Sequence, residues 1–352
     1  MIKAAILKNE DPFDHEPWII ACEKRKDSLI YEIIDLSIED WFEKIDSLKP
    51  DILLTKPAGK TALFREQYME RFGILNDKFK LPSIPSFNEA LIYENKRYFS
   101  YWLKSNKIPH PKTLVFYTKK EAFEFAEKTN YPIVAKINIG ASGNGVSILN
   151  NKNQMHDYIN KAFFIGVSSF AAPKLSKGKI LKRIWVKVTN PQQLKNRLKS
   201  YRDISNDKQI GFVILQEYIE HNFEWRAVRI GDSFFAHKKL KLGEKASGSL
   251  VKRYENPPLK IFDFVENITS PFNFTSMAVD FFETSSGEFL VNEMQCIFGQ
   301  SDPYQMLVDG KMGRYRKLNN EWVFEEGNFA KDQCYDLRLE YIIQKYNENP
   351  LH

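Results

Sequence analysis

The sequence predicts an α/β (α+β) chain, and three observations predict it. Residues 1–92 alternate short apolar strands with amphipathic helices. A strand ending in Lys136 runs into a loop of small side chains. A late hairpin sets two carboxylates across from each other. At 352 residues the chain is long enough for two or three domains with cores of their own.

In the first segment Lys3–Leu7 reads as a strand. Pro17–Lys26 carries Trp18, Ile19 and Cys22 at helical spacing, and Tyr31–Leu36 reads as a second strand. Ile38–Leu48 is an amphipathic helix with Trp41, Phe42 and Ile45 on one face, and Asp51–Thr55 is a third strand. This βαβαβ order argues for a parallel sheet covered by helices. Ligands of such sheets sit beyond the carboxyl ends of the strands. That marks Lys8–Glu16 and Lys56–Lys60 as acceptor-binding surface, against the plainer reading of polar connections. Pro82 and Pro85 mark a boundary. Asn95–Ser105 then reads as a helix, with Phe99, Trp102 and Leu103 on its apolar face. Lys96 falls in its first turn, where a cation opposes the helix dipole and is more comfortable beside an anion. Thr118–Glu121 is a capping box for a helix over Ala122–Lys128.

Ile133–Ala135 delivers Lys136, and Gly140, Ala141, Ser142, Gly143, Asn144 and Gly145 follow before a second β-branched run at Val146–Leu149. Strand, small-residue loop, strand is the pattern of a flap over phosphates. Glycines bring backbone N–H groups close to an anion, and the lysine adds a point charge. An ordinary glycine-rich hairpin with a solvated lysine has the same letters. No Gly-Lys-Ser/Thr and no helix follow, so neither a Walker A loop nor a dinucleotide fingerprint is present. Asn153–Ala162 is a helix, Ile184–Val188 a strand and Pro191–Tyr201 a basic helix. Gly211–Ile219 is a nearly continuous apolar strand. Phe223–Ile230 and Ser233–His237 form a hairpin that alternates Glu224, Arg226 and Val228 onto one face.

Phe274–Glu283 and Glu288–Cys296 are strand-like runs joined by Thr284-Ser285-Ser286-Gly287. A hairpin centred between Ser286 and Gly287 pairs Asp280 with Glu293 and leaves Gln295 two residues on along the same face. Opposed carboxylates repel unless a cation joins them. Two carboxylates and an amide oxygen are hard ligands suited to magnesium.

Hydrophobic content of 43% and charged content of 27% are those of a globular protein. Met1-Ile2-Lys3 runs directly into a strand, so no signal peptide is expected, and no uncharged stretch is long enough to span a bilayer. Cys22, Cys296 and Cys334 form no CxxC and read as reduced thiols of a cytoplasmic protein. The histidines lack metal-ligand spacing. The net charge of +6 is local: Lys174–Arg202 holds ten Lys or Arg and no acid, so the rest of the chain sums to −4. With only Trp185 and Tyr201 interleaved, that run argues against nucleic acid.

Lys96, Lys136, the loop ending at Gly145, the strand ending Gln216-Glu217-Tyr218-Ile219, Glu224, Asp280 and Glu293-Met294-Gln295 together resemble the ATP-grasp superfamily. This is the fold of D-alanine–D-alanine ligase, glutathione synthetase and ligases that add amino acids to protein or peptide carboxylates. The resemblance covers roughly residues 90–300. It implies a pre-ATP-grasp domain over 1–92, a central lid subdomain over 93–215 and a C-terminal subdomain with the metal site over 216–352. Lys96 and Lys136 would contact ATP phosphates, with Gly140–Gly145 closing over them. Gln216–Ile219 would bind adenine, Glu224 the ribose, and Asp280, Glu293 and Gln295 magnesium or manganese. Arg226 looks like the arginine of the peptide- and protein-modifying ligases, and Lys238 or Lys239 would approach the transferred phosphoryl group. Gln295 stands where asparagine is usual. Ala278 stands where some members place an arginine, leaving Arg226 or Arg253 for that task. The implied activity is ATP-dependent carboxylate–amine ligation through an acyl phosphate. Its rivals are phosphoryl transfer without amide formation and a non-catalytic ATP-binding regulatory module. The implied partners are an amine and a carboxylate, the latter polyanionic (an acidic glycan, peptide or sugar nucleotide) if the basic run steers it. The oligomeric state stays open, a homodimer among the alternatives.

Overall fold

The structure, a computed structural model, describes residues 1–10, 12–57, 61–140, 145–168, 202, 205–242, 245–246 and 251–348. The expected strand Ile184–Val188, the expected helix Pro191–Tyr201 and nearly all of the basic run lie outside them. The chain divides into two compact units, one made of residues 1–58, 63–111 and 219–352, the other of 59–62 and 112–218.

The first unit opens with β1 (Ile2–Leu7), α1 (Glu16–Glu23), β2 (Leu29–Ile34), α2 (Trp41–Leu48), β3 (Ile52–Leu54), α3 (Ala62–Phe79) and β4 (Ser83–Ile84). The strands form an all-parallel sheet in the order β2-β1-β3-β4, as the βαβαβ reading expects. β2 begins two residues earlier than its pattern suggested and α2 begins only at Trp41, whereas α3 and β4 left no mark strong enough to place them. One face of the sheet packs Ala5, Leu7 and Leu53 on Tyr68, Phe72 and Leu75 of α3. α4 (Phe87–Ile92) follows, its capping box made by Ser86 and Glu89. α5 (Lys96–Ser105) is capped by the Asn95 side chain and buries Phe99 and Leu103.

The second unit is a four-stranded sheet with two helices. β5 (Thr113–Phe116), α6 (Lys119–Lys128), β6 (Ile133–Lys136), β7 (Val146–Leu149), α7 (Lys152–Phe164) and β8 (Val213–Glu217) follow in sequence. The strand order is β5-β8-β6-β7, every pair antiparallel. The Thr118 hydroxyl accepts from the Glu121 amide and starts α6 as expected. Ala122, Ala126, Met155 and Ile159 cover the sheet at Ala135 and Leu215.

The first unit resumes with a nine-stranded sheet. β9 (Phe223–Ile230) and β10 (Ser233–Leu242) form the expected hairpin, and β11 (Lys245–Ala246) and β12 (Lys252–Arg253) pair with β10. After α8 (Lys260–Thr269) come β13 (Ser276–Glu283) and β14 (Phe289–Gln295), then β15 (Leu307–Val308), β16 (Lys311–Leu318) and β17 (Glu321–Glu326). The main path is β14-β13-β9-β10-β16-β15. Ile261, Phe262 and Val265 of α8 pack on it with Trp225, Phe235 and Phe281. Gly231, at φ 55°, turns β9 into β10, and a Cβ there would sit 2.2 Å from Tyr341. Tyr341 belongs to α9 (Tyr335–Glu348), whose Tyr335, Leu339 and Ile342 cover the other face of the parallel sheet against Ala4, Ile6, Ile52 and Leu54.

Candidate active site

Asp280 pairs with Glu293 across β13 and β14, the register expected from the hairpin. The route to it differs. Glu283 pairs with Phe289, so the turn is centred on Ser286 itself, and a bulge between Asp280 and Phe281 opposite Asn292 restores the register. The two one-residue offsets cancel, and a bulge beside a site is a common way to re-aim side chains. On the other side of Asp280 lies Arg226 of β9, and beyond Arg226 lies His237 of β10. Glu293, Asp280, Arg226 and His237 thus form one row across four strands.

Arg226 grips Asp280 with two parallel bonds, Nε to Oδ1 at 2.7 Å and Nη2 to Oδ2 at 2.8 Å. Lys239 Nζ donates to the same Oδ2 at 2.8 Å and to Glu224 Oε2 at 2.7 Å. Asn292 Nδ2 donates to Glu224 Oε1 at 3.1 Å, and Arg226 Nη2 to Gln295 Oε1 at 3.2 Å. Asp280, Glu224, Arg226 and Lys239 are all buried. Burial opposes ionisation of Asp280, but Arg226 and Lys239 outweigh it and hold its pKa below the usual carboxylate range. Burial alone would lower the pKa of Lys239, and the charges of Asp280 and Glu224 raise it instead. Glu293 is pushed the other way. Burial raises its pKa, the Glu94 and Asp280 carboxylates add to this, and Lys96 offsets it only in part.

Lys96 Nζ lies 3.3 Å from Glu94 Oε2, so the anion its helix position called for is Glu94, one residue before the cap. Lys238 lies on the opposite face from Lys239, over the Phe223 and Trp225 rings at 4.2 and 4.8 Å and paired with Glu255. Arg253 pairs with the same Glu255 at 2.9 Å and is largely exposed. Of the cations offered for the transferred phosphoryl group, Arg226 and Lys239 both donate to Asp280, whereas Lys238 and Arg253 pair with Glu255.

In the second unit Lys136 ends β6 between Val146 and Ile214. The loop from Gly140 to Gly145 is described only at its ends, and Ala141, Ser142, Gly143 and Asn144 lie outside the described residues. Gln209 fixes its base: Oε1 accepts from the amides of Asn138 and Ile139 at 2.6 and 3.1 Å, and Nε2 donates to the Ile139 carbonyl at 2.8 Å. Gly145 has φ 79°, and a Cβ there would lie 2.2 Å from Ile137 Cδ1. Gly145→Ala therefore meets both left-handed strain of about 1–2 kcal/mol and a clash with the Ile137 side chain. We expect it to lower the melting temperature and weaken nucleotide binding measured by calorimetry. Unchanged binding would show that the loop does not meet the nucleotide. Gln216 Nε2 donates to Thr113 Oγ1 at 2.9 Å, and Glu217 accepts from the Lys112 amide at 2.6 Å. Tyr218 ends this unit and Ile219 begins the next stretch of the first.

Of the loops marked as acceptor surface, Lys8–Glu16 and Lys56–Lys60, Asp11 and residues 58–60 lie outside the described residues, and the described parts follow β1 and β3. Asn9 Nδ2 donates to the Lys56 carbonyl at 2.8 Å and Lys56 pairs with Asp14 at 2.5 Å. Residues that sequence reasoning missed are Glu94, Gln209, His237, Lys252 and Asn292. Strict alternation along β10 selects Lys239 over Lys238 once Glu224 and Arg226 are on a face, and it adds His237 to that face. Asn292 and Gln209 carried no such signal, one lying at a bulge and the other at an isolated bridge.

Among the described residues no three carboxylate, histidine or cysteine side chains gather as a metal cluster. Asp280, Glu293 and Gln295 are oxygen donors of the kind magnesium takes, and here Arg226 and Lys239 occupy both Asp280 oxygens while Arg226 also donates to Gln295 Oε1. Glu293, held in a setting that penalises its charge, is the member that most lacks a cation.

A family profile described as "Carbamoyl-phosphate synthase L chain, ATP binding domain" matches residues 95–188. The carbamoyl phosphate synthase large chain of Pyrococcus furiosus is 30% identical over 129 residues, 35% of this chain and 12% of that protein. The α-aminoadipate–LysW ligase LysX of Saccharolobus solfataricus is 32% identical over 87 residues, 25% of this chain and 32% of that protein. The chain thus spans a third or less of these relatives' lengths. D-Alanine–D-alanine ligase from Bacillus anthracis, complexed with ATP, superposes with a TM-score of 0.52 at 13% identity, covering 99% of this chain and 98% of that one. The mixed α/β architecture with its N-terminal parallel sheet is the ATP-grasp fold. Its resemblance to the superfamily extends to ligases of several kinds.

Proposed function

We propose that this chain is an ATP- and magnesium-dependent carboxylate–amine ligase that proceeds through an acyl phosphate and releases ADP and phosphate. The observation that carries the reading is the row in which Asp280 and Glu293 oppose each other with Arg226 and Lys239 drawn onto Asp280. A module that only binds nucleotide has no use for an opposed carboxylate pair with two buried cations beside it.

In this reading the domains run 1–92, 93–215 and 216–352. Gln216–Ile219 present backbone groups to adenine, Glu224 accepts from the ribose hydroxyls, and Lys96, Lys136 and Gly140–Gly145 hold the phosphates. Asp280, Glu293 and Gln295 hold magnesium, which when bound neutralises charge on the transferring group. Arg226 and Lys239 orient the substrate carboxylate and steady the charge on the phosphoryl oxygens. An amine then displaces phosphate and forms the amide. The lack of a Ser–His or Cys–His pair at the row agrees with a route that needs no covalent enzyme intermediate. Lys174–Arg202 favours a polyanionic carboxylate substrate. No helix among the described residues is long and apolar enough to cross a membrane. The buried free thiols of Cys22, Cys296 and Cys334 are consistent with a cytoplasmic setting.

The test is product analysis with a panel of amino acids, peptides and sugar acids. Carboxylate-dependent release of ADP and phosphate is the expected result. AMP and pyrophosphate would mean adenylation and would overturn the mechanism, while carboxylate-independent turnover would favour simple phosphoryl transfer.

A further inference from the structure

His237 continues the row beyond Arg226 and is 1% exposed. Its Nδ1 lies 2.8 Å from the Gln305 backbone carbonyl. A carbonyl only accepts, so Nδ1 carries the proton and donates, and Nε2 is left with a bare lone pair. Among the described residues Nε2 has no hydrogen-bond partner. Leaving a buried acceptor unsatisfied is costly, so Nε2 calls for a donor beyond the described residues.

The surroundings say what kind of donor. Burial and then the Arg226 charge lower the pKa of His237 to about 3, with Lys252 adding to this. The ring therefore stays neutral across the working range and accepts rather than donates at Nε2. Tyr254 lies on its far side, ring centroids 5.4 Å apart. The Tyr254 hydroxyl and Lys252 Nζ are both committed to Asp302 Oδ2, at 2.7 and 2.8 Å. Arg226 Nε and Nη2 are likewise committed to Asp280. His237 also lies next to the arginine assigned to the substrate carboxylate, which is where the attacking group must come.

Resting on the ligase reading, we propose that His237 Nε2 holds the attacking nitrogen of the acceptor, a primary or secondary amine delivered as its free base. One N–H donates to Nε2, which aims the nitrogen lone pair at the acyl carbon. The C–N bond forms as the C–O bond to phosphate breaks. Phosphate leaves with that electron pair, and the nitrogen's surplus proton ends on the departing phosphate. A neutral acceptor flanked by committed cations binds an amine better than an ammonium ion, so the site selects the reactive form.

Two variants separate the ring's nitrogens. His237→Asn keeps a donor near Nδ1 for the Gln305 carbonyl and removes Nε2, while His237→Gln places an amide where Nε2 was. The probe for the first half-reaction is hydroxylamine, which traps acyl phosphates as hydroxamates without an amine site. With the carboxylate that supports ADP release in the wild type, His237→Asn should keep hydroxamate formation within roughly three-fold. Its amide formation should fall by about 10- to 100-fold with a raised KM for the amine, and His237→Gln should recover part of the loss. Amide formation near the wild-type rate, or equal loss of hydroxamate and amide, would overturn the assignment. Nitrogen-15 spectra of the folded protein give a check that needs no substrate. A neutral ring protonated at Nδ1 is expected, and the Nε2–H tautomer would also overturn it. If the wild type shows no carboxylate-dependent ADP release, the ligase reading itself falls and the assignment with it, whatever the spectra show.

Discussion

Asp280→Asn will abolish turnover and destabilise the protein at the same time. The loss of rate should be on the order of 10³-fold or more, since the residue is asked to hold a metal worth several kcal/mol at the transition state. The stability loss comes from the partners. Arg226 and Lys239 stay buried with the carboxylate they both grip removed, and breaking such a cluster costs about 3–5 kcal/mol. The sign with pH is fixed. The folded pKa of Asp280 is depressed, so its contribution is present above the unfolded value and fades as pH falls through the folded one. The wild type and Asp280→Asn should therefore converge in stability at strongly acidic pH. A double variant with Lys239→Met removes one uncompensated cation and should recover part of the melting temperature but none of the turnover. Near-normal ADP release by Asp280→Asn would remove the carboxylate pair from the mechanism.

Glu293→Gln should separate stability from activity in the opposite sense. Burial and neighbouring carboxylates raise the pKa of Glu293 in the fold. Its ionised form therefore destabilises the folded protein, increasingly as pH rises from the unfolded value through the folded one. The amide carries no such penalty. Without nucleotide, Glu293→Gln should melt a few degrees above the wild type at neutral pH, and the gap should close in acid. Turnover should be lost, and manganese binding followed by electron paramagnetic resonance should weaken in the presence of nucleotide. A variant that melts lower than the wild type, or binds manganese equally well, contradicts the role given to this side chain.

These two carboxylates were legible in the sequence because strand pairing is arithmetic. The arithmetic succeeded through cancellation, since the turn centre at Ser286 and the bulge at Asn292 each shift the register by one. Bulges leave little trace in a pattern of alternating residues, and Asn292 became visible only as a partner of Glu224. Period two also explains why Lys238 and Lys239 part company, one over aromatic rings and the other on the face that carries Glu224 and Asp280. The parallel sheet could be read because its strands are short apolar runs separated by amphipathic helices. α3 escaped because its apolar residues spread around the helix instead of forming one stripe, with Leu63 and Ile74 exposed while Tyr68 and Phe72 are buried. β16 and β17 escaped for a related reason: Lys, Arg and Glu recur on strands that are exposed or half-exposed at nearly every position. The role of Gln209 depends on a contact with residues some seventy positions earlier in the chain, which no local pattern encodes.

The placement of α9 bears on how the protein is made. The parallel sheet is complete by Ile84, yet the face carrying Ala4, Ile6, Ile52 and Leu54 is covered only in part, by Trp18, Ala21 and Cys22 of α1, until Tyr335, Leu339 and Ile342 complete it. Lys24 and Arg25 likewise wait for Asp336 and Glu340. During synthesis the sheet of residues 2–84 thus emerges with one face partly covered and must persist until residues 335–342 have been translated. An apolar face held partly open that long is a target for chaperones and a hazard for aggregation. Ribosome-bound chains stopped before α9 should be captured by holdase chaperones and cut readily by protease, and release of the full chain should end both.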